Sequence, residues 1–176
     1  MKRFLLLFLA TVVTAWSASA QLSVSQLRTE HLTDPVGIGE RRPLLSWEVS
    51  DASRRGVTQS AYEIRVKSGG RTVWRTGKVA SAESAGVFYD GTPLTSDARY
   101  TWQVRVWDDR GKASAWSRPA FWRTGLFDVG EWQARWIEPA VSDDLAAMFR
   151  RTFRVTKPVA EATVYVTAHG IYEASV

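Results

Sequence analysis

Between Leu94 and Trp107 the chain reads L-T-S-D-A-R-Y-T-W-Q-V-R-V-W. Side chains of an extended backbone alternate between two faces, so Tyr100, Trp102, Val104 and Val106 share one side and Thr101, Gln103, Arg105 and Trp107 the other. β-Branched and aromatic residues, a Ser-Asp turn signal before and Asp108-Asp109-Arg110-Gly111 after predict a half-buried strand. The same period recurs upstream. Tyr62, Ile64 and Val66 point inward and Glu63, Arg65 and Lys67 outward, and Leu45, Trp47 and Val49 share a face within Leu44–Val49. Trp47 is the expected plug between two sheets.

Shorter segments complete the series. Leu22 to Glu30 reads as a first edge strand, and Arg71 to Trp74 follows Ser68-Gly69-Gly70 as the return of a hairpin. Val87-Phe88-Tyr89 and Ala120 to Thr124 are further strands, whereas His31 to Pro43, punctuated by Pro35, Gly37, Gly39 and Pro43, reads as a loop through which pairing should not run. With no helix-period segment between them, strands at this spacing from Leu22 to Thr124 predict an all-β fold, an immunoglobulin-like or fibronectin type III-like sandwich.

Beyond Gly125 the pattern changes. Trp132, Trp136 and Ile137, set among Gly130, Glu131, Arg135 and Pro139, predict a compact aromatic linker that docks against a neighbour. Met148 to Val155 and Ala162 to Ala168 then read as two strands around a Lys157-Pro158 turn, with a third from Ile171 to Val176. Two or three strands cannot bury both faces of a sheet, so the expectation is a second β-domain truncated at Val176.

The first residues carry another signal. Met1-Lys2-Arg3 is basic, Phe4 to Val13 is apolar but too short to span a bilayer, and Ala18-Ser19-Ala20 is a small-x-small pattern, so secretory cleavage is expected between Ala20 and Gln21. The destination is outside the cytoplasm, secreted or periplasmic, with no membrane anchor in the mature chain. There is no cysteine among the 176 residues, which excludes disulfides and thiolate metal sites. Lys2 and Arg3 contribute two of the five net positive charges, leaving +3 after cleavage. Arg41-Arg42, Arg54-Arg55 and Arg150-Arg151 are scattered pairs without the basic run of a nucleic-acid binder. Nine tryptophans within alternating segments are chiefly core material.

An ordered set of segments carries a family likeness. P-L-L-S-W (Pro43 to Trp47), Q-S-A-Y-E-I-R-V (Gln59 to Val66), V-W-R-T-G-K-V (Val73 to Val79), Y-T-W-Q-V-R-V-W-D (Tyr100 to Asp108), S-A-W-S (Ser114 to Ser117), G-L-F (Gly125 to Phe127) and W-Q-A-R-W-I (Trp132 to Ile137) together resemble the N-terminal region of bacterial α-L-rhamnosidases of glycoside hydrolase family 78. M-F-R-R-T-F (Met148 to Phe153) and A-H-G-I-Y-E-A (Ala168 to Ala174) resemble the opening of that family's second, jelly-roll-like N-terminal β-domain. The organisation expected is a signal over residues 1–20, a fibronectin type III-like sandwich over 21–125, a linker over 126–139 and an incomplete β-domain over 140–176.

The resemblance implies a large secreted enzyme that removes terminal α-L-rhamnose from glycosides or polysaccharides with inversion. Its acidic catalytic residues would sit in an (α/α)6 barrel beyond Val176, so no catalytic residue falls on this chain and the rhamnose-containing partner is met elsewhere. No cofactor is implied. The alternative is a non-catalytic carbohydrate-binding or surface-adhesion module on the same sandwich.

The chemistry on the chain agrees with an accessory role. Inverting hydrolysis needs two carboxyls about 6.5–9.5 Å apart; Asp108-Asp109 and Asp143-Asp144 are adjacent pairs where turn chemistry favours Asp. His31 and His169 lack metal-chelating spacing, Ser46, Ser114 and Ser117 lack a nucleophile-elbow context, and Gly37-Ile38-Gly39 lacks the third glycine, strand and helix of a phosphate loop. Two sharper expectations remain. Arg105 is expected to stack with Trp107 and Trp116, and Trp74, Trp132 or Trp136, if exposed, could present a ring to a sugar.

Overall fold

The computed structural model describes residues 22–139 and 146–175. They belong to two units divided between Gln133 and Ala134. The expected cleavage pair, Ala20 and Gln21, and the Asp143-Asp144 pair lie outside the described residues.

The first unit contains β1 (Ser23–Thr29), β2 (Val36–Ile38), β3 (Leu44–Ser50), β4 (Gln59–Ser68), β5 (Arg71–Arg75), β6 (Val87–Phe88), β7 (Arg99–Asp108) and β8 (Ala120–Thr124). One sheet has the order β1-β3-β6, the other β2-β8-β7-β4-β5. The first unit is an all-β sandwich. Strand β7, the one with the longest alternation, lies mid-sheet and pairs antiparallel with β4 from Gln59↔Asp108 to Ser68↔Tyr100. Its other edge meets β8.

The alternation is realised side chain by side chain. Tyr100, Trp102, Val104 and Val106 of β7 and Ile64 and Val66 of β4 are buried against Leu45 and Trp47 of the opposite sheet in one apolar cluster. Each aliphatic side chain so removed from water contributes about 1.5–3 kcal/mol before the entropy of ordering is counted. Trp47 sits in the core as expected, its ring edge-on to Tyr62 at 5.3 Å and its indole N–H donating to Gln59 Oε1 at 2.9 Å. The larger aromatic centre lies elsewhere: Trp122 stacks on Tyr100 at 5.3 Å and meets Tyr89 edge-on at 5.8 Å, and Tyr89 meets Trp74 at 5.1 Å. At the β4–β5 turn Gly69 and Gly70 both have positive φ, 54° and 79°, as a two-residue hairpin matching strand twist requires.

One expectation about pairing is corrected. The His31–Pro43 loop contains β2, which runs parallel to β8. Proline blocks donation but not acceptance: the Pro35 carbonyl takes the Arg123 amide at 2.9 Å and the Ile38 carbonyl takes that of Gly125 at 2.9 Å. A three-residue strand thus fits between the punctuating residues.

The 126–139 segment is anchored in part. Arg41 lies 4.6 Å from the Phe127 ring centroid and pairs with Asp128 at 3.0 Å, while Glu131 Oε2 accepts from Ser96 Oγ at 2.6 Å and from the Phe127 and Asp128 amides. In the second unit, Met148 to Val155 and Ala162 to Ala168 form no strand ladder among the described residues. Their apolar side chains, Met148, Phe153 and Val164 among them, are exposed. Alternation supplies an apolar face, but a ladder also needs a neighbour in register and a layer to cover that face, and the described residues of this unit supply neither.

Candidate functional site

The most structured array of charge lies on the outer face of the five-stranded sheet. Ser114 and Ser117 create it. The Ser114 and Ser117 amides donate to the carbonyls of Val106 and Val104 at 2.8 and 2.9 Å, and their hydroxyls accept from the amides of the same two residues at 3.0 and 3.1 Å. Serine side chains thereby stand in for missing ladder partners beside β7. Trp116, between them, is placed over the face.

There it joins an alternating stack. The Arg65 guanidinium carbon lies 4.3 Å from the Trp116 ring centroid, Arg105 lies 4.9 Å from Trp116 and 5.0 Å from Trp107, and Lys78 Nζ lies 4.8 Å from Trp107. The expected Arg105–Trp107–Trp116 contact is present and extends at both ends. Gln103 fixes Arg65, accepting from its Nε and Nη2 at 3.1 and 2.7 Å and donating to the Ser117 carbonyl at 2.7 Å.

Glu63 sits beneath. By periodicity it faces outward, and it does, yet it is only 2% exposed. Arg75 donates to Oε1 at 2.7 Å and Arg105 to Oε2 at 2.8 Å, with an Arg105 Nη2 contact at 2.6 Å. Burial alone would push the carboxyl up, but the two arginine hydrogen bonds and their charges outweigh it and hold Glu63 below its ordinary value of 4.5. Glu63 thus faces outward as its spacing predicts, and the arginines that cover it are what bury it. The signal available was the Glu63↔Arg105 cross-strand position, which only the register reveals.

The other candidates are structural or scattered. Asp108 is buried, and its Oδ1 takes the amides of Arg110 and Lys112 at 3.0 and 2.7 Å, closing the turn after β7; Arg54 pairs with Asp109 and lies 3.6 Å from Asp108. His31 offers its carbonyl to Arg28, and His169, in the other unit, stacks on Trp136 at 4.2 Å. Among the described residues no three of His, Asp and Glu converge as a metal site would require. Gly37 adopts φ 85° within β2, at the close approach of Gly125, and has no phosphate-loop helix after it. Of the tryptophans considered as sugar platforms, Trp74 packs on Tyr89, Trp132 is partly exposed, and Trp136 is exposed with one face covered by His169.

Two shallow clefts also mark the first unit. One, about 230 Å³, lies among Arg41, Arg42, Tyr89, Asp90, Pro93 and Leu94; its only carboxylate, Asp90, is 3.1 Å from Arg42. The other, about 260 Å³, lies among Leu22, Ser23, Val24, Trp116, Ser117 and Arg118 and holds no carboxylate. Neither offers the opposed pair that inverting hydrolysis needs.

Residues 24–128 match the model of the Rha78A-like, N-terminal immunoglobulin domain. An α-L-rhamnosidase of Streptomyces avermitilis is 36% identical over an alignment 184 positions long that covers 88% of this chain and 18% of that protein. One from Alteromonas sp. is 34% identical over 160, covering 82% and 17%. Among solved structures, the S. avermitilis α-L-rhamnosidase complexed with L-rhamnose superposes with a TM-score of 0.64 and 42% identity over 68% of this chain and 12% of that one. The α-L-rhamnosidase of Dictyoglumus thermophilum does so at 0.62 and 33%, over 66% and 14%. The chain thus spans less than a fifth of the length of the curated relatives it matches.

Proposed function

Because the chain belongs to the Rha78A-like family of N-terminal immunoglobulin domains, we propose that it is the accessory N-terminal part of a secreted or periplasmic α-L-rhamnosidase that hydrolyses terminal α-L-rhamnose from glycosides or polysaccharides. The observation that carries this is the likeness along 88% of the chain to a protein of that name, at 36% identity, in the N-terminal part of a much longer polypeptide. The carboxylates of the first unit support an accessory role. Glu63 is clamped between two arginines and Asp108 is committed to a turn, so neither is disposed to give or take a proton at a sugar. In this reading the acid and base lie on a downstream domain, and the sandwich supplies a rigid support.

Intact-mass analysis of the natural protein recovered outside the cytoplasm tests the reading. A mass several times 19.7 kDa with an N-terminus at Gln21 is expected. A species ending at Val176 would leave no room for a catalytic barrel and would favour the binding-module alternative.

A further inference from the structure

We propose that the outer face of the five-stranded sheet binds a carboxylated polysaccharide and so holds the enzyme proposed above on an acidic glycan; the inference rests on that reading. Arg65, Lys67, Arg75, Lys78, Arg99 and Arg105 all belong to this face or lean over it. The acids there are spent. Glu63 is buried under Arg75 and Arg105, and Asp97 takes Arg123 at 2.6 Å; Asp34, at the β8 edge, caps the Phe121 amide.

A cationic surface of flexible lysines would be a solvated face and no more. Here the guanidiniums are held. Arg65 and Arg105 are fixed by Gln103, Glu63 and the two indole rings, and Arg99 lies 3.6 Å from the Phe121 centroid. Immobilising a long side chain on binding ordinarily costs about 0.5–1.5 kcal/mol; these have been ordered by the fold, and each guanidinium has more N–H groups than its fixed partners use. Successive outward positions recur every ~6.6–6.8 Å along a strand and ~4.8 Å across strands, so the donors form a two-dimensional array suited to an extended chain with repeated carboxylates.

The faces of Trp107 and Trp116 are occupied by guanidinium and ammonium groups, which removes them as stacking platforms. Recognition therefore runs through charge-assisted hydrogen bonds. Neutral rhamnose or dextran offers hydroxyl acceptors but no carboxylate to make the stronger, charge-assisted bonds.

The test is affinity electrophoresis of the natural full-length protein in gels containing polygalacturonate, dextran or poly-L-glutamate. Retardation by polygalacturonate alone, relieved as salt shortens the screening length, is the expected result. The double variant Lys67→Glu/Arg99→Glu should lose it, since neither residue hydrogen-bonds within the stack, whereas Arg28→Glu/Arg55→Glu, with the same change of charge on other surfaces, should keep it. No retardation of the wild type, equal retardation by poly-L-glutamate, or equal behaviour of the two double variants would overturn the proposal. Hydrolysis of a small neutral rhamnoside by the same preparation tests the enzyme reading separately: hydrolysis without polygalacturonate binding overturns the face alone.

Discussion

Glu63 shows how one residue changes character once its neighbours are known. With its carboxyl shielded from water, removal of the charge leaves Arg75 and Arg105 facing a neutral site, and the cost is that of a broken charged hydrogen-bond pair, reduced because both arginines keep contact with solvent. Glu63→Gln is expected to lower stability by about 2 kcal/mol, a fall in Tm of about 10 °C. Its folded-state pKa lies below the unfolded one, so the contribution is complete above the ordinary value of 4.5 and fades as pH falls through the folded value. Melting followed from pH 7 to 3 should show a steeper loss below pH 4.5 in the wild type than in Glu63→Gln; parallel curves would remove Glu63 as the cause.

Gly91 gives a second residue-scale expectation. A Cβ there would lie 2.5 Å from Trp74 Cβ and 2.5 Å from Tyr89 Oη, beside the buried aromatic cluster. Gly91→Ala should destabilise by about 1–3 kcal/mol through overpacking, and an unchanged denaturation midpoint would contradict that packing. Neither effect was legible in the sequence. Glu63 has the spacing of a solvated position, and Gly91 follows Asp90 as any turn glycine would; in both cases the decisive neighbour comes from another strand.

At the scale of elements, the segment from Ala113 to Ser117 does the work of a strand with side chains as ladder partners. Ser117→Ala strips the buried Val104 amide of its acceptor. A loss of about 1–3 kcal/mol is expected from an unsatisfied buried N–H, with weaker quenching of Trp116 fluorescence as the ring loses its seat; a change in neither would show that the hydroxyl is dispensable. Arg105→Ala removes two ring contacts and the Glu63 hydrogen bond together and should cost about 2 kcal/mol, read as a lower Tm.

Period-two alternation made β3, β4 and β7 legible because each presents a continuous apolar face to one core. Strand β2 was not, since three residues between Pro35 and Gly39 are too few for a period and proline reads as a break. In the candidate site, Arg105, Trp107 and Trp116 could be associated from the sequence, being near neighbours in the chain. Gln103 shares their face by the same alternation, whereas Arg65, Lys78 and Glu63 join them only through the β4–β7 register and a crossing loop, which local spacing does not encode. The runs at 148–155 and 162–168 alternate in the same way but form no ladder among the described residues; pairing and covering neighbours are not encoded in the spacing of a single run.

For the whole molecule, the first unit carries an aromatic core, two sheets and a fixed charged face, and its buried carboxylates Glu63 and Asp108 are committed to structure. Its family membership places it in the N-terminal region of much longer relatives, so the chemistry proposed for the protein belongs to residues outside the matched domain. The most direct test is to follow, by proton NMR, the anomer of rhamnose released from an α-L-rhamnoside by the natural protein purified from outside the cytoplasm. The account predicts β-L-rhamnose as the first product, with the α-anomer appearing only by later mutarotation. No release of rhamnose above a preparation lacking the protein would contradict it.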